Sequence, residues 1–142
     1  FINKFYLPVI NLNFSKYLKS LANCSIDISD GLLIDLHKMI NNQRVSSEVY
    51  YEKIPISSKL KIFLKRNSLS KNKFIFNGDD YQILFTAKKS DRQEIERISR
   101  KTKTKISKIG KILSKKKFKI RLLNGDKVLK LKKMAGYEHF FT

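Results

Sequence analysis

The stretch that decides the fold is CSIDISDGLLIDLHKMI, at positions 24–40. Cys24–Ile28 alternates between polar and apolar side chains, as a half-buried strand does, and Ser29-Asp30-Gly31 interrupts the alternation. From Leu32 onward, apolar residues recur at spacings of three and four, which is the pattern of a helix with one face on a core. The stretch therefore predicts a strand followed directly by a helix, with two carboxylates at the junction.

Outward from this unit, segments with strand and helix patterns alternate along the chain. Further strands are predicted at Ser47–Ile54, Tyr81–Thr86, Lys105–Leu113, Phe118–Leu123 and Val128–Leu131. Further helices are predicted from a Ser15 cap to Ala22, from Ser57 or Ser58 to Lys65, and after a Ser90 cap. Asn124-Gly125 lies between the last two strands and is a strong hairpin signal. This order predicts an α+β (α/β) domain with a mixed β-sheet flanked by helices.

Length and composition narrow the class of protein. The chain has 142 residues, of which 42% are hydrophobic, so we expect a single domain over positions 1–142. It begins with Phe1, and we expect it to be part of a longer protein.

Cys24 is the only cysteine, which excludes a disulfide framework and favours a small core residue. No apolar run approaches the roughly 18 residues that span a bilayer, and no signal segment opens the chain, so we expect a cytoplasmic protein without membrane contact.

The formal net charge of +19 has two interpretations. A strongly basic surface suits a partner rich in phosphate, such as nucleic acid. Alternatively, Lys, Ile and Asn have A/T-rich codons, so an A/T-rich genome would raise all three together. Arg is scarce here, although it is the better residue for gripping phosphate and reading bases. The scarcity of Arg therefore favours a compositional origin of the high charge, in an A/T-rich genome. A basic nucleic-acid-binding domain, built on the lysine-rich segment 101–121, remains the alternative.

The junction of the first strand and helix carries the groups best suited to chemistry. Asp27 and Asp30 lie three residues apart, with Ser29 between them and Gly31 after them. A helix start exposes backbone N–H groups that suit phosphate, but carboxylates there repel phosphate unless a hard cation lies between. Magnesium prefers oxygen ligands and commonly bridges carboxylates to substrate phosphates. The alternative is an ordinary helix start, capped by Ser29 or Asp30.

Two later segments offer acids and aromatic rings. In Asn77–Phe85, Asp79 and Asp80 follow a glycine and lead into a strand, which suits a cation or a cationic substrate. The same acids would also suit a turn in which they bond the local backbone. Gly136–Phe140, with the sequence GYEHF, can line a pocket for a flat ring or can pack as a C-terminal staple. These segments therefore leave a binding role and a structural role both open.

Taken in order along the chain, these motifs resemble the C-terminal domain of bacterial thiamine-monophosphate kinases. The resemblance is carried by Asp27–Leu32 with Asp35-Leu36, then Ile54-Pro55, Gly78–Thr86, Ile109-Gly110 and Gly136–Phe140. That family is similar in architecture to aminoimidazole-ribonucleotide synthetase. The first motif, Asp27–Leu32, recurs loosely across the ATP-using synthetases of this superfamily. The motifs Gly78–Thr86 and Gly136–Phe140 are more specific when they occur together.

The resemblance implies roles for five residues. Asp27 and Asp30 would be magnesium ligands, and Ser29 would contact ATP. Asp79 and Tyr137 would contact the thiamine moiety of the substrate. The family usually has Glu at position 79, so the shorter Asp79 reaches about one methylene less far.

The activity implied by the resemblance is ATP-dependent phosphorylation of thiamine monophosphate to thiamine diphosphate. The chain would be the C-terminal half of a two-domain kinase whose N-terminal ATP-binding domain is absent here, so it would be inactive alone. The full-length enzyme would be a homodimer. Another ATP-using synthetase of the same superfamily is a further alternative, which would keep the fold and the magnesium and change the substrate.

The remaining polar residues receive structural interpretations. Asp35 is expected to have a structural role on a different helix face from Asp30. His37 has no partner at the spacing of metal ligands, and His139 is expected to orient the aromatic tail. No catalytic residue is assigned, because the attacking phosphate oxygen is already ionised at neutral pH.

Overall fold

The computed structural model of the chain describes residues 12–71 and 82–130. The helices are α1 (Leu12–Leu21), α2 (Leu32–Ile40), α3 (Ser58–Arg66) and α4 (Arg92–Thr102), with short 3-10 turns at Tyr51–Lys53 and Lys89–Asp91. The strands are β1 (Cys24–Ile28), β2 (Val45–Tyr50), β3 (Gln82–Thr86), β4 (Gly110–Ser114), β5 (Ile120–Asn124) and β6 (Lys127–Leu129). None of the helices within these ranges is long and apolar enough to cross a membrane.

The described strands form two sheets. β1 and β3 pair antiparallel, with Asp27 opposite Ile83. The other sheet has the order β4-β2-β5-β6, in which β2 and β5 run parallel and the outer pairs run antiparallel. The predicted α+β class with a mixed sheet and flanking helices is therefore confirmed, and the antiparallel β1–β3 pair is an addition to it.

Helix α2 joins the two sheets through one apolar core. Its apolar residues pack with residues of β1, β2, β3 and β5, and the least exposed of them are Leu33, Ile40, Val49 and Leu122. A second, smaller core lies between α1 and α4, where Phe14 and Ile98 are buried. Because α2 is held on its apolar face by both sheets, its N-terminal end has a fixed position against β1.

Most predicted elements are found close to their predicted ends. β1 occupies Cys24–Ile28, and α2 ends at Ile40, just before the predicted stop. Ser57 caps α3 by accepting the Leu60 N–H at 3.1 Å. The hairpin at Asn124-Gly125 is also confirmed, with Gly125 at φ 57° in the turn.

Two predicted helix caps are wrong. Ser15 lies inside α1, which begins at Leu12, and its hydroxyl donates to the Leu12 carbonyl at 2.8 Å. The Ser90 hydroxyl donates to the Asp91 carboxylate at 2.9 Å within a 3-10 turn, and α4 begins only at Arg92. In both places a serine near a helix start bonds to a local group other than the helix N–H donors, which is a common competing arrangement for this side chain.

Two predicted strands are longer than the observed ones. The strand predicted at Ser47–Ile54 is displaced toward the N-terminus and ends at Tyr50, where a 3-10 turn follows. The strand predicted at Lys105–Leu113 begins only at Gly110. The second difference follows from the first, because the end of β2 leaves the residues before Ile109 without a partner strand.

Gly110 marks a close approach between β2 and β4. A Cβ atom at this position would overlap the Glu48 carbonyl oxygen and lie 3.2 Å from the Cα of Val49. The Ile109-Gly110 motif is therefore explained by strand packing. Nearby, the buried Ser46 hydroxyl donates to the Phe118 carbonyl at 2.6 Å and accepts the Lys116 N–H at 2.9 Å. These bonds fix the exposed lysine turn at 115–117, which lies between β4 and β5.

Candidate metal and nucleotide site

Strand β1 presents Asp27 on the face of the sheet that points away from the core. Along β1, the side chains of Cys24, Ile26 and Ile28 pack toward the core, and those of Ser25 and Asp27 are exposed. This alternation follows from the two-residue period of a strand. Asp27 is the penultimate residue of β1, so an exposed carboxylate lies next to the loop that leads into α2.

The loop at 29–31 is organised by the carboxylate of Asp35. One oxygen, Oδ2, accepts the backbone N–H groups of Ser29 at 3.0 Å, Asp30 at 2.9 Å and Gly31 at 3.1 Å. In the opposite direction, the Asp35 N–H donates to the Gly31 carbonyl at 3.0 Å. Asp35 is only 1% exposed, so a buried acid in the first turn of α2 holds the preceding loop.

These hydrogen bonds confirm a structural role for Asp35 and correct one expectation about the helix start. Burial alone would raise the pKa of Asp35, but the bonds from Lys38 and from the N–H groups of Asp30 and Gly31 outweigh burial and lower it. The carboxylate is therefore ionised at neutral pH. The sequence pattern suggested that the N–H groups of the junction would be free to bind a phosphate. Three of them instead donate to the Asp35 carboxylate.

Gly31 is the turning point between loop and helix. Its φ of 132° and ψ of 147° lie in a region that residues with a Cβ rarely adopt. This backbone conformation lets the N–H of Gly31 point at Asp35 while its carbonyl begins the hydrogen bonds of α2. A glycine is therefore required by backbone geometry at this point of the motif.

A lysine on α2 links the two acids that flank the helix start. The Lys38 ammonium donates to the Asp35 carboxylate at 3.0 Å and also forms an ion pair with the Asp30 carboxylate. These contacts raise the pKa of Lys38, with the hydrogen bond to Asp30 contributing most. Lys38 is therefore a full cation that bridges an exposed acid and a buried one.

The donor set fits magnesium in part. Asp27 and Asp30 offer the hard carboxylate oxygens that Mg²⁺ prefers, and this ion usually completes its shell with waters and substrate phosphates. Across residues 12–71 and 82–130, no three His, Cys, Asp or Glu side chains gather into a group that could hold a metal ion. A magnesium site built on Asp27 and Asp30 would therefore need ligands from other groups.

The other predicted site residues have different outcomes. Ser29 lies half-buried in the loop between the two acids, and its backbone N–H donates to Asp35. Asp79 and Tyr137 lie outside the described residues. His37 is half-buried on α2, and among the described residues it joins no group of metal ligands.

Basic side chains occupy several separate surfaces. Arg92 and Arg97 pair with Glu96 and Glu94 on α4 at 3.0 and 2.6 Å. The exposed turn 115–117 borders a cavity of about 400 Å³ with the residues that follow α2. Beside it, Lys119 donates to the carbonyls of Asn41 and Gln43 at 3.0 and 2.7 Å. Part of the basic surface is therefore used in internal contacts.

Sequence reasoning missed the part that Lys38 plays. Asp35 and Lys38 are three residues apart on a helix, a spacing that brings opposite charges together, so this pair had a recognisable signal. The contact from Lys38 to Asp30 spans eight residues across a helix start, and no sequence spacing rule predicts it. The sequence likewise did not indicate which backbone N–H groups would donate to Asp35.

The chain matches a known domain family over most of its length. Residues 8–123 match the family model described as "AIR synthase related protein, C-terminal domain". This range contains the whole of the β1–α2 unit, both described sheets up to β5, and the segment with Asp79.

Several curated relatives match nearly all of this chain, but the match covers a minor part of their own length. A thiamine-monophosphate kinase from Buchnera aphidicola subsp. Schizaphis graminum is 31% identical over 98% of this chain and 42% of the relative. The thiamine-monophosphate kinase from Haemophilus influenzae is 30% identical over 94% of this chain and 40% of the relative. The chain thus spans about two fifths of the length of these relatives.

Solved structures share the fold. The structure of AaThiL complexed with AMPPCP and TMP superposes with a TM-score of 0.73, at 24% identity, over 98% of this chain and 40% of that one. The thiamine-monophosphate kinase from Stenotrophomonas maltophilia superposes with a TM-score of 0.66, at 27% identity, over 74% of this chain and 32% of that one.

Proposed function

Because the chain belongs to the family of C-terminal domains of AIR synthase related proteins, we propose that it acts in the ATP-dependent phosphorylation of thiamine monophosphate to thiamine diphosphate. The observation that carries the proposal is the similarity to thiamine-monophosphate kinases along 98% of this chain. The loop at Ser29-Asp30-Gly31 supports it, because hydrogen bonds to the buried Asp35 hold in one conformation the segment that carries Ser29 and Asp30.

We propose that this domain works together with an N-terminal domain that binds most of the nucleotide. About three fifths of each of these two related kinases lies outside the match to this chain, which is room for one further domain. A homodimer of the complete enzyme and a cytoplasmic location belong to the same proposal. Each follows from the resemblance of the motifs and is open to direct measurement.

The site residues have distinct parts in the proposal. Asp27 and Asp30 would hold Mg²⁺, which when bound neutralises phosphate charge and holds phosphate oxygens in position. The Ser29 hydroxyl would contact ATP. Asp35 keeps the loop in one conformation, and phosphoryl transfer depends mainly on such positioning and charge neutralisation.

Substrate contacts are proposed for Asp79 and Tyr137. A carboxylate attracts the positive charge of a thiazolium ring, and an aromatic face attracts the same charge through its electron-rich π system. The two residues therefore suit a cationic ring system. The motifs that contain them argue against another synthetase of the superfamily.

The proposal is tested with the purified chain of residues 1–142 and a separately expressed N-terminal domain from a related thiamine-monophosphate kinase. Thiamine diphosphate formation is measured with ATP, MgCl₂ and thiamine monophosphate, with each domain alone and with the two together. We expect turnover only in the mixture, and its loss when EDTA is added. The chain alone should bind ATP with a Kd in the millimolar range or weaker, which is about 4 kcal/mol of binding free energy.

Two outcomes would contradict the proposal. Robust turnover by the chain alone would mean that a complete nucleotide site lies within these residues. Absence of turnover in the mixture, together with tight binding to duplex DNA or RNA that weakens steeply with salt, would favour the nucleic-acid alternative. A salt titration from 50 to 300 mM KCl, run on both ligands, separates specific substrate binding from general attraction to phosphate.

A further inference from the structure

Lys38 occupies the place between two carboxylates where a cation is needed. Its ammonium contacts Asp30 and lies 3.0 Å from Asp35. The three side chains differ in exposure, with 47% for Lys38, 32% for Asp30 and 1% for Asp35. The buried acid is thus fixed, while the lysine and the outer acid can exchange partners with solvent.

The two ends of this bridge are held with unequal strength. Asp35 accepts three backbone N–H groups in addition to Lys38, so its position does not depend on the lysine alone. Asp30 contributes its N–H to Asp35, but its carboxylate meets Lys38 at a partly exposed position. Exposed ion pairs of this kind are weak, so the Lys38–Asp30 contact is the one that opens first.

We propose that Lys38 is a resident counter-ion of Asp30, which Mg²⁺ displaces when it binds, so that Lys38 sets the magnesium affinity of this site. The inference rests on the proposed function to the extent that Asp30 is taken as a magnesium ligand. A lysine has a long, flexible stem, and Asp35 and Lys38 are three residues apart on one helix face. Lys38 can therefore release Asp30 and keep its contact with Asp35.

The exchange makes Lys38 a positioning residue with a measurable cost. While the site is free of metal, the ammonium offsets the repulsion between two neighbouring carboxylates and keeps Asp30 close to α2. When a divalent cation arrives, it must compete with this ammonium for the Asp30 carboxylate. Removal of the ammonium should strengthen magnesium binding, by about fivefold, which is the upper range for an exposed ion pair.

The experiment titrates MgCl₂ into the ¹⁵N-labelled chain of residues 1–142 at constant ionic strength and follows the backbone amide signals of Asp30 and Gly31. Three variants are compared with the parent. Lys38→Met removes the competing charge, and Lys38→Arg retains it. Lys59→Met is the matched control, because it removes one exposed lysine charge from α3, away from the loop.

We expect Lys38→Met to bind Mg²⁺ about fivefold more tightly than the parent, and Lys59→Met and Lys38→Arg to stay within twofold of it. A second readout needs no variant. In the parent chain labelled with both ¹³C and ¹⁵N, the side-chain ¹³Cε signal of Lys38 should shift with the same Mg²⁺ midpoint as the Asp30 amide.

Three results would overturn the inference. One is an unchanged Mg²⁺ affinity in folded Lys38→Met. Another is a Lys38 side-chain signal that stays still while the Asp30 amide responds. The third is a chain in which neither signal responds at tens of millimolar Mg²⁺, because Asp30 would then not bind the ion here. The proposed function is judged separately, by turnover in the two-domain mixture, so the two can fail independently.

Discussion

The buried carboxylate of Asp35 accepts a hydrogen bond from the backbone N–H of Asp30 at 2.9 Å, so one acid of the motif fixes the position of another. The same oxygen also accepts the N–H groups of Ser29 and Gly31, at 3.0 and 3.1 Å. The loop and the first turn of α2 therefore form one unit. It follows that the geometry of the candidate metal ligand depends on a residue that does not itself reach solvent.

We expect Asp35→Asn to destabilise the fold. The amide can keep one acceptor oxygen, but it loses the negative charge that strengthens the bonds from three N–H groups and Lys38. Hydrogen bonds to a charged group contribute about 1.5–3 kcal/mol, so the free energy of unfolding should fall by about that amount. Urea denaturation measures it, with Asp30→Asn as the control. A loss equal to that of the control would mean that Asp35 does not hold the loop.

The stabilising effect of Asp35 should depend on pH in a defined direction. Burial acts to raise the pKa of Asp35, but hydrogen bonds from Lys38, Asp30 and Gly31 lower it below its ordinary value in the folded state. In the pH range where Asp35 titrates, its carboxyl group is protonated less in the folded chain than in the unfolded chain. The free energy of unfolding therefore rises with pH in that range. The difference in unfolding free energy between the parent and Asp35→Asn should be constant from pH 7 to 5 and shrink below about pH 4. A difference that grows on acidification would contradict this assignment.

Gly110→Ala should weaken the four-stranded sheet. The added Cβ would overlap the backbone carbonyl of Glu48, and a backbone atom cannot move aside as a flexible side chain can. Overpacking of this kind costs about 1–3 kcal/mol, which a thermal or urea unfolding curve resolves. Ser114→Ala, at the exposed end of the same strand, is the matched control and should change stability by less than about 0.5 kcal/mol. Equal stability of the two variants would show that β2 and β4 lie farther apart than described.

The elements of this chain were predictable where their signals are local. The ends of β1 and α2, the Ser57 cap and the hairpin at Asn124-Gly125 all depend on a few neighbouring residues. The errors at strand ends occurred where an end depends on a distant partner, whereas the Ser15 and Ser90 caps were wrong because each hydroxyl bonds another local group. Alternation shows that Lys105–Leu113 can form a strand, but β2 ends at Tyr50, so only the part from Gly110 is paired.

The placement of the first acidic motif at a strand–helix junction was predictable, and its contacts were not. Asp27, Ser29 and Asp30 lie at a strand–helix junction, as their order in the sequence predicts. Three backbone N–H groups of the loop donate to the Asp35 carboxylate and fix the conformation of the loop. In this conformation Asp30 lies within reach of Lys38. Such contacts depend on a glycine backbone conformation and on burial, and residue spacing contains neither.

Asp79 is predicted to discriminate between the two substrates. If its carboxylate meets the cationic thiamine moiety, Asp79→Ala should raise the KM for thiamine monophosphate more than the KM for ATP. Asp79→Glu restores the acid with a longer side chain and should be tolerated or should lower that KM. Steady-state kinetics of the two-domain mixture measures both constants. An equal rise in both KM values would indicate a turn residue without substrate contact.

Asp30→Asn should separate catalysis from folding. The carboxylate is proposed as a magnesium ligand, so its loss in the two-domain mixture should reduce turnover by two orders of magnitude or more, about 3 kcal/mol of activation free energy. The folded state loses only the partly exposed pair with Lys38, so the free energy of unfolding should fall by less than about 1 kcal/mol. Asp126→Asn, in the exposed turn between β5 and β6, is the matched control and should leave both quantities unchanged. Turnover within a few-fold of the parent would remove Asp30 from the metal site, whereas a large loss of stability would mean that its carboxylate supports the loop instead.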